Sequence, residues 1–333
     1  MTTREQLTLS VEVPSLRPGI RYGDKILMNG SCFTEHISDK LLRYKYQVLT
    51  NPFGILYNPV SIAVSMERIA KKQYYTADEL VFRQGLYHSL DHHGQYSGKD
   101  IHEVTRTINH TIDEAYQHLQ QCKAVCISPG TAKVYRYRAT KNIVGNCHKL
   151  SSTAFDVVDL TFQECLDAYE RIHDAAQTIA PGCRMVWTIS PVRHFRDGLI
   201  HNQRSKATLI IALHQYLHHH PDAYYFPAYE IMMDELRDYR FYARDLVHPS
   251  PLAVDIIWEK FVTACIDEEE QMHHQAIEKI RRSMEHRFLH DDPDALKVFA
   301  AGQLKQIETL AHALPQLNWQ QERQYFFQYL DQG

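Results

Sequence analysis

Ser31 stands where an apolar run stops and a helical pattern starts, in Met28-Asn-Gly-Ser-Cys-Phe-Thr-Glu35. Gly30 permits a tight turn there. A serine at such a point sits at the carboxyl edge of a sheet, where open α/β folds bind ligands. The first free N–H groups of the following helix are donors suited to an oxyanion. This is the arrangement of nucleophilic acyl transfer, although a serine at this position is equally the ordinary cap of a helix. A nucleophile needs a base, and the base needs an orienter. Asp245 and His248 in Tyr242-Ala-Arg-Asp-Leu-Val-His-Pro-Ser250 supply both. Residues three apart share a face in a turn, so one imidazole nitrogen can bond the carboxylate while the other faces the serine.

Other residues compete for roles. Cys32 is the rival nucleophile, because helix N-termini favour thiolates. Successive residues at a turn point in different directions, so only one of the two can face His248. Arg193 and His194 follow a strand pattern and are candidates for holding an anionic or sugar-like group. Cys122, Cys126 and Cys147-His148 hint at a metal, but Cys122 and Cys126 lie in a strand pattern rather than at the tight turns of structural zinc sites. No metal is expected. Neither H-E-x-x-H, G-x-S-x-G, G-x-G-x-x-G nor a P-loop occurs, and no cofactor is expected.

Strand patterns are predicted at Lys25–Met28, Ala124–Ile127, Arg184–Ile189 and Ala223–Phe226. Helices alternate with them: one carries Phe33, Ile37, Leu41 and Tyr44, and others span Pro59–Lys71, Ile101–Gln120, Tyr169–Ile179, Ser205–His218 and Pro251–Ala264. That alternation implies a layered α/β domain with a largely parallel sheet. Residues 1–20 look extended and wrapping, 78–100 irregular, and 131–165 mixed. After 265 only helical patterns remain, over Asp267–Phe288 and Pro293–His312. Residues 1–264 thus read as the catalytic domain and 265–333 as a helical extension whose charged helices are compatible with a homodimer. His218–His220 and His273–His274 read as solvent-facing helix ends.

The chain has 333 residues with a net charge of −4, which gives no overall attraction to nucleic acid or anionic membrane. No apolar run approaches membrane-helix length. The N-terminus is polar and lacks a secretory pattern. Seven cysteines, mostly in apolar strings, point to a reducing, cytoplasmic compartment.

Gly30-Ser-Cys-Phe33, with Thr34 next, resembles the signature of the GSCFA family, within the SGNH or GDSL-like esterase and lipase superfamily. Also similar are Asn51-Pro-Phe-Gly-Ile-Leu-Tyr-Asn-Pro59, Asn146-Cys-His-Lys149, Thr188-Ile-Ser-Pro-Val-Arg-His194, Asn202 with Ser205-Lys206, and Leu236-Arg-Asp-Tyr-Arg-Phe-Tyr242 leading into Asp245 and His248. The resemblance spans about residues 20–262. It implies a flavodoxin-like three-layer α/β/α hydrolase with Ser31 as nucleophile, His248 as base and Asp245 as orienter. Gly54 would donate its N–H to the oxyanion. The superfamily's G-x-N-D segment is absent, since Ser128-Pro-Gly-Thr-Ala132 stands in that region. Asn58, Thr131 or Asn146 would then supply the third donor, with Asn146 ranked first.

The expected function is a serine esterase or acyl transferase acting on an ester, such as an acetyl ester of a carbohydrate. The alternative is a ligand-binding or scaffold protein that keeps the fold. A base role for His248 requires neutral imidazole, so ester turnover should fall below about pH 6. A pH–rate profile flat to about pH 5 would remove that role.

Overall fold

The computed structural model describes residues 9–286 and 293–330. Strand β1 (Lys25–Gly30) leads into helix α1 (Cys32–Arg43) and strand β2 (Gln47–Thr50). Helix α2 (Pro59–Lys71) begins as the sequence predicts, with Pro59 in its first turn and the Asn58 side chain accepting from Ser61 N–H at 2.8 Å. The stretch 78–100, expected to be irregular, contains a hairpin of β3 (Leu80–Arg83) and β4 (Leu86–Ser89). Helix α3 (Ile101–Leu119) and strand β5 (Cys122–Ser128) follow. The mixed stretch is a small antiparallel sheet of β6 (Lys133–Tyr137), β7 (Ile143–Val144) and β8 (Phe155–Asp159). Helix α4 (Phe162–Ile179), strand β9 (Arg184–Trp187), helix α5 (Leu199–His219), strand β10 (Tyr224–Tyr225) and the single turn α6 (Ala228–Glu230) come next. Helices α7 (Pro251–Cys265), α8 (Glu268–Glu285), α9 (Pro293–Ala313) and α10 (Gln320–Phe327) follow among the described residues.

The central sheet has the order β10-β9-β5-β1-β2, and every pair is parallel. Counted along the chain this is the 2-1-3-4-5 order of flavodoxin-type folds, whose switch point lies between the first and third strands. Here those strands are β1 and β5. Alternating side chains along each strand feed two layers. Ile26, Met28, Cys126 and Val186 pack with α1 and α7, while Leu27, Val125, Ile127 and Trp187 pack with α2 to α5. The architecture is therefore three-layer α/β/α with a helical region after it. Apolar residues of that region, among them Ile277, Ile280, Ile307 and Phe326, continue the core formed by α1 and α7.

The segment before β1 runs against the C-terminal end of α7, with Leu16 and Ile20 N–H groups donating to Ala264 and Cys265 carbonyls, both at 2.7 Å. The first eight residues of the expected wrapping segment, and the end of the helix expected to reach Phe288, lie outside the described residues. Two of the expected surface histidines are instead packed. His274 stacks on Tyr44 at 4.4 Å and bonds Tyr46 Oη at 2.9 Å, and its burial pushes it down to about 4. His220 stacks on Tyr216 and bonds Glu170 at 2.6 Å. Aromatic surface nearby draws both rings into packing, which the spacing of histidines along the chain does not reveal.

Two glycines predict opposite responses. A Cβ at Gly30 would fall 2.4 Å from the Ser128 carbonyl oxygen, a backbone atom that cannot give way. Gly30→Ala should cost about 1–3 kcal/mol and lower the thermal midpoint by several degrees. Gly302 lies within α9 with nothing within 4 Å of an added Cβ. Gly302→Ala should stabilise by up to about 1 kcal/mol. Thermal melts of the two variants beside wild type check both signs.

Candidate active site

The N-terminal end of α1 is built by backbone contacts between neighbouring strands. Gly30 pairs with Ser128, and the Ser31 N–H donates to the Ser128 carbonyl at 3.0 Å. The loop Asn51–Leu56 clamps the same turn from the other side. Asn51 Oδ1 accepts from Gly30 N–H at 2.9 Å, and the Leu56 N–H donates to Gly30 O at 3.0 Å. Ser31 occupies the N-cap position of α1 and is buried. Its hydroxyl nevertheless caps nothing. The Thr34 N–H donates to the Ser31 carbonyl at 2.9 Å instead, and Ser31 Oγ has no hydrogen-bond partner among the described residues.

Asp245 and His248 form the expected pair. The chain folds back between Tyr242 and Pro249, with Leu246 in the left-handed region at φ 58°. Asp245 Oδ1 accepts from the N–H groups of Val247 at 2.9 Å and His248 at 3.0 Å. Asp245 Oδ2 lies 2.6 Å from His248 Nδ1. Those two backbone donors and the imidazole hold the Asp245 carboxyl down at about 2. An ionised carboxylate only accepts, so Nδ1 carries a proton, and in the neutral ring Nε2 is then the nitrogen with the lone pair. Arg193 braces this loop: its guanidinium lies 4.0 Å from the centre of the Tyr242 ring, and its N–H donates to Val247 O at 3.2 Å.

His248 borders two cavities. One, of about 990 Å³, lies among α1, the 243–251 loop and the helical region, with Arg281 and Gln321 on its wall. The other, of about 380 Å³, is lined by Tyr57, Asn58, Thr131, Arg193 and His194 among others. Cys32 lines both, whereas Ser31 lines neither and shares no hydrogen bond with His248. Burial pushes the Cys32 thiol up, although the neighbouring Cys32 and Phe33 N–H groups pull it down.

Several expected donors prove to be engaged. The Gly54 N–H, expected to face the oxyanion, donates to Asn51 O at 2.7 Å. Gly54 serves close packing instead, for at φ 79° a Cβ there would fall 2.2 Å from His93 Cβ. Asn58 spends its amide on capping α2, with Nδ2 donating to Ser61 Oγ at 3.0 Å. Thr131 Oγ1 accepts from Lys133 N–H at 3.0 Å and lies 3.1 Å from Ser205 Oγ. Asn146 Oδ1 accepts from His148 N–H at 2.9 Å, and the residue lines neither cavity. His194 does come close. A Cβ built on Gly130 would lie 3.3 Å from His194 Nε2 and 3.5 Å from Ser31 Cβ.

Helix α5 contributes a polar face that composition alone does not suggest. Asn202, Ser205 and Lys206 are spaced to share one side. Asn202 Oδ1 accepts from His194 N–H at 2.8 Å, Ser205 Oγ accepts from Ala132 N–H at 2.6 Å, and Lys206 Nζ donates to Ser190 O at 2.6 Å. The helix expected from Ser205 actually starts at Leu199, and with that earlier start the shared face follows from spacing. The cysteines expected in a strand, Cys122 and Cys126, lie buried on β5, and all seven thiols are free. Among the described residues no group of three His, Cys, Asp or Glu is placed to hold a metal ion, and no helix is long and apolar enough to cross a membrane.

Lys206 is fully buried, and desolvation pushes its ammonium down to about 7. Above that pH the folded state sheds a proton that the unfolded chain keeps up to about pH 10. Stability from this group therefore rises with pH above 7. The unfolding free energy of Lys206→Met minus that of wild type should fall by about 1.4 kcal/mol per unit from about pH 8 to about pH 9.5. Urea titrations at those pH values measure it, and a constant difference would refute the buried-ammonium account.

Residues 25–261 match the family model described as the GSCFA family, and residues 277–332 match that of the GSCFA domain protein, C-terminal domain. No curated protein matches the chain.

Proposed function

This chain belongs to the GSCFA family, and we propose that it is a serine acyl-transfer enzyme, an esterase or O-acyltransferase, of the SGNH or GDSL-like kind. The observation that carries the reading is the buried, uncapped hydroxyl of Ser31. A serine kept as a helix cap would accept from an N–H of the first turn and stabilise the helix by about 1 kcal/mol. A buried hydroxyl without a partner costs about 1–3 kcal/mol, so its retention calls for a chemical reason. The Asp245–His248 pair on the adjoining cavities supplies one.

In the proposed reaction Ser31 turns its hydroxyl toward His248 as the ester arrives. Ser31 Oγ attacks the carbonyl carbon while His248 Nε2 takes the hydroxyl proton. The tetrahedral oxyanion collapses, the ester C–O bond breaks, and His248 returns the proton to the departing alcohol. Water or a second alcohol then attacks the acyl carbon, His248 takes its proton, and Ser31 recovers it as the acyl–serine bond breaks. Asp245 holds the imidazole in the required tautomer throughout. A small ester fits the cavity of about 380 Å³, and an acetyl ester of a carbohydrate is the first class to try. Free cysteines on a chain with no membrane-crossing helix among its described residues agree with a cytoplasmic location.

A second reading makes Cys32 the nucleophile, because it lines both cavities beside His248. Its raised thiol opposes that role. A fluorophosphonate probe followed by peptide mass spectrometry separates the readings. The expected result is an adduct on Ser31 that is lost in Ser31→Ala and His248→Ala and kept in Cys32→Ala. Loss in Cys32→Ala, with the adduct on that residue in wild type, would favour the thiol. No adduct on folded protein at about pH 8 would favour a binding or scaffold role.

A further inference from the structure

We infer that His194 supplies the side-chain hydrogen bond to the oxyanion formed on Ser31, in a position fixed by the polar face of α5. The inference rests on the acyl-transfer reading and deepens it. An oxyanion needs donors aimed at the point where charge develops. Of the backbone donors expected there, the Ser31 N–H is bonded to Ser128 O and the Gly54 N–H to Asn51 O. The side chains of Asn58 and Thr131 are occupied in capping and turn contacts, and Asn146 lines neither cavity that His248 borders. A donor has to come from elsewhere on the rim of Ser31.

Gly130 marks where. A single Cβ built on it would meet His194 Nε2 at 3.3 Å, Ser31 Cβ at 3.5 Å and Ser190 Cβ at 3.7 Å. Three segments therefore converge on a space that a side chain at residue 130 would fill. An imidazole nitrogen and the Cβ of the proposed nucleophile both border it. His194 also lines the cavity of about 380 Å³ together with His248, so the base and the inferred donor open on the same volume.

The position of His194 is not left to a mobile loop. Its N–H is bonded to Asn202 Oδ1, and its ring sits edge-on to Tyr57 at 5.2 Å. Gly130 and Thr131 N–H groups donate to the Tyr57 carbonyl at 2.7 and 3.0 Å. Ser190 is tied by its N–H to Pro129 O at 3.0 Å and by its carbonyl to Lys206 Nζ. Asn202, Ser205 and Lys206 thus pin both loops around Gly130 from one helix face. Such rigidity is what a preorganised donor requires, because reorientation during reaction would cancel its benefit.

The two histidines then divide the work. Asp245 fixes His248 with its proton on Nδ1, which leaves Nε2 to accept a proton. His194 acts in the opposite sense, as an Nε2–H donor. An amide donor can replace such a group, whereas it cannot replace a base.

His194→Leu and His194→Gln test this with two readouts, the rate of Ser31 phosphonylation and kcat and KM on 4-nitrophenyl acetate. In phosphonylation the Ser31 Oγ–P bond forms, the P–F bond breaks, fluoride leaves, and the proton passes to His248. His194→Leu should lower both rates about a hundredfold, with KM changed little. His194→Gln should recover at least about tenfold of that loss, with the acid limb of the pH profile unmoved. The assignment is overturned if His194→Leu reacts at the wild-type rate, or if His194→Gln is no better than His194→Leu while both melt like wild type. If wild type forms no adduct on Ser31, the acyl-transfer reading falls and takes this assignment with it. A wild-type adduct with an indifferent His194→Leu defeats the assignment alone.

Discussion

The site depends on the close approach of two backbones at the switch point of the sheet. Gly30 lies so near the Ser128 carbonyl that no side chain fits between them. That approach lets the Ser31 N–H reach the same carbonyl. It turns the chain sharply from β1 into α1 and delivers Ser31 at the crevice where doubly wound sheets bind ligands. On the proposed acyl-transfer reading it also has a cost, since a donor bound to Ser128 O is withdrawn from any oxyanion. On that reading a chain that fixes its nucleophile with the nucleophile's own N–H must recruit other groups for charge stabilisation.

Helix α5 answers that need by an unusual route. A buried ammonium is expensive, and no carboxylate lies within ion-pair distance of Lys206 among the described residues. The structure retains the group where it holds the carbonyl of Ser190, one of the three residues that meet at Gly130. Asn202 and Ser205 hold His194 and Ala132, in the loops that follow β9 and β5. Polar groups that weaken a core can specify one arrangement of it. Here the arrangement specified is that of Gly130, Ser190 and His194 around Ser31.

Much of this could be read from residue order. Periodicity located β1, α1, β5, β9 and α7, and Pro59 after Asn58 marked the start of α2 to the residue, because these signals are local. The D-x-x-H pair was equally legible, since three residues and a turn suffice to form it. The β3–β4 hairpin and the β6–β8 sheet were not. Their strands are short and half-exposed, with little alternation to mark them; β3 and β4 are joined by only Gln84-Gly85, both at positive φ, whereas β6 pairs with β8 from across the intervening β7 segment. Which expected donors keep a free N–H was not legible for a related reason. Whether an N–H such as that of Gly54 is available depends on which carbonyl the folded loop presents to it, and residue type does not carry that information. The role of α5 was hidden by its polar first turns, whose buried residues look like surface until the loops they hold are known.

The helical region after 265 alters how the site should be regarded. Its apolar residues are continuous with the layer formed by α1 and α7, and α1 is the helix whose first turn carries Ser31 and Cys32. Arg43 on that helix pairs with Glu278 at 2.9 Å in a two-pronged contact, and with Glu285 at 3.2 Å. Arg281 and Gln321 from the same region face the cavity that His248 borders. A helix fixed at one end by a strand crossing and along its length by a second packed unit has little freedom to tilt. The region therefore bears on the candidate site twice, as a wall of the larger cavity and as a brace for the helix that carries Ser31. Residues matched by two separate family models thus line one cavity.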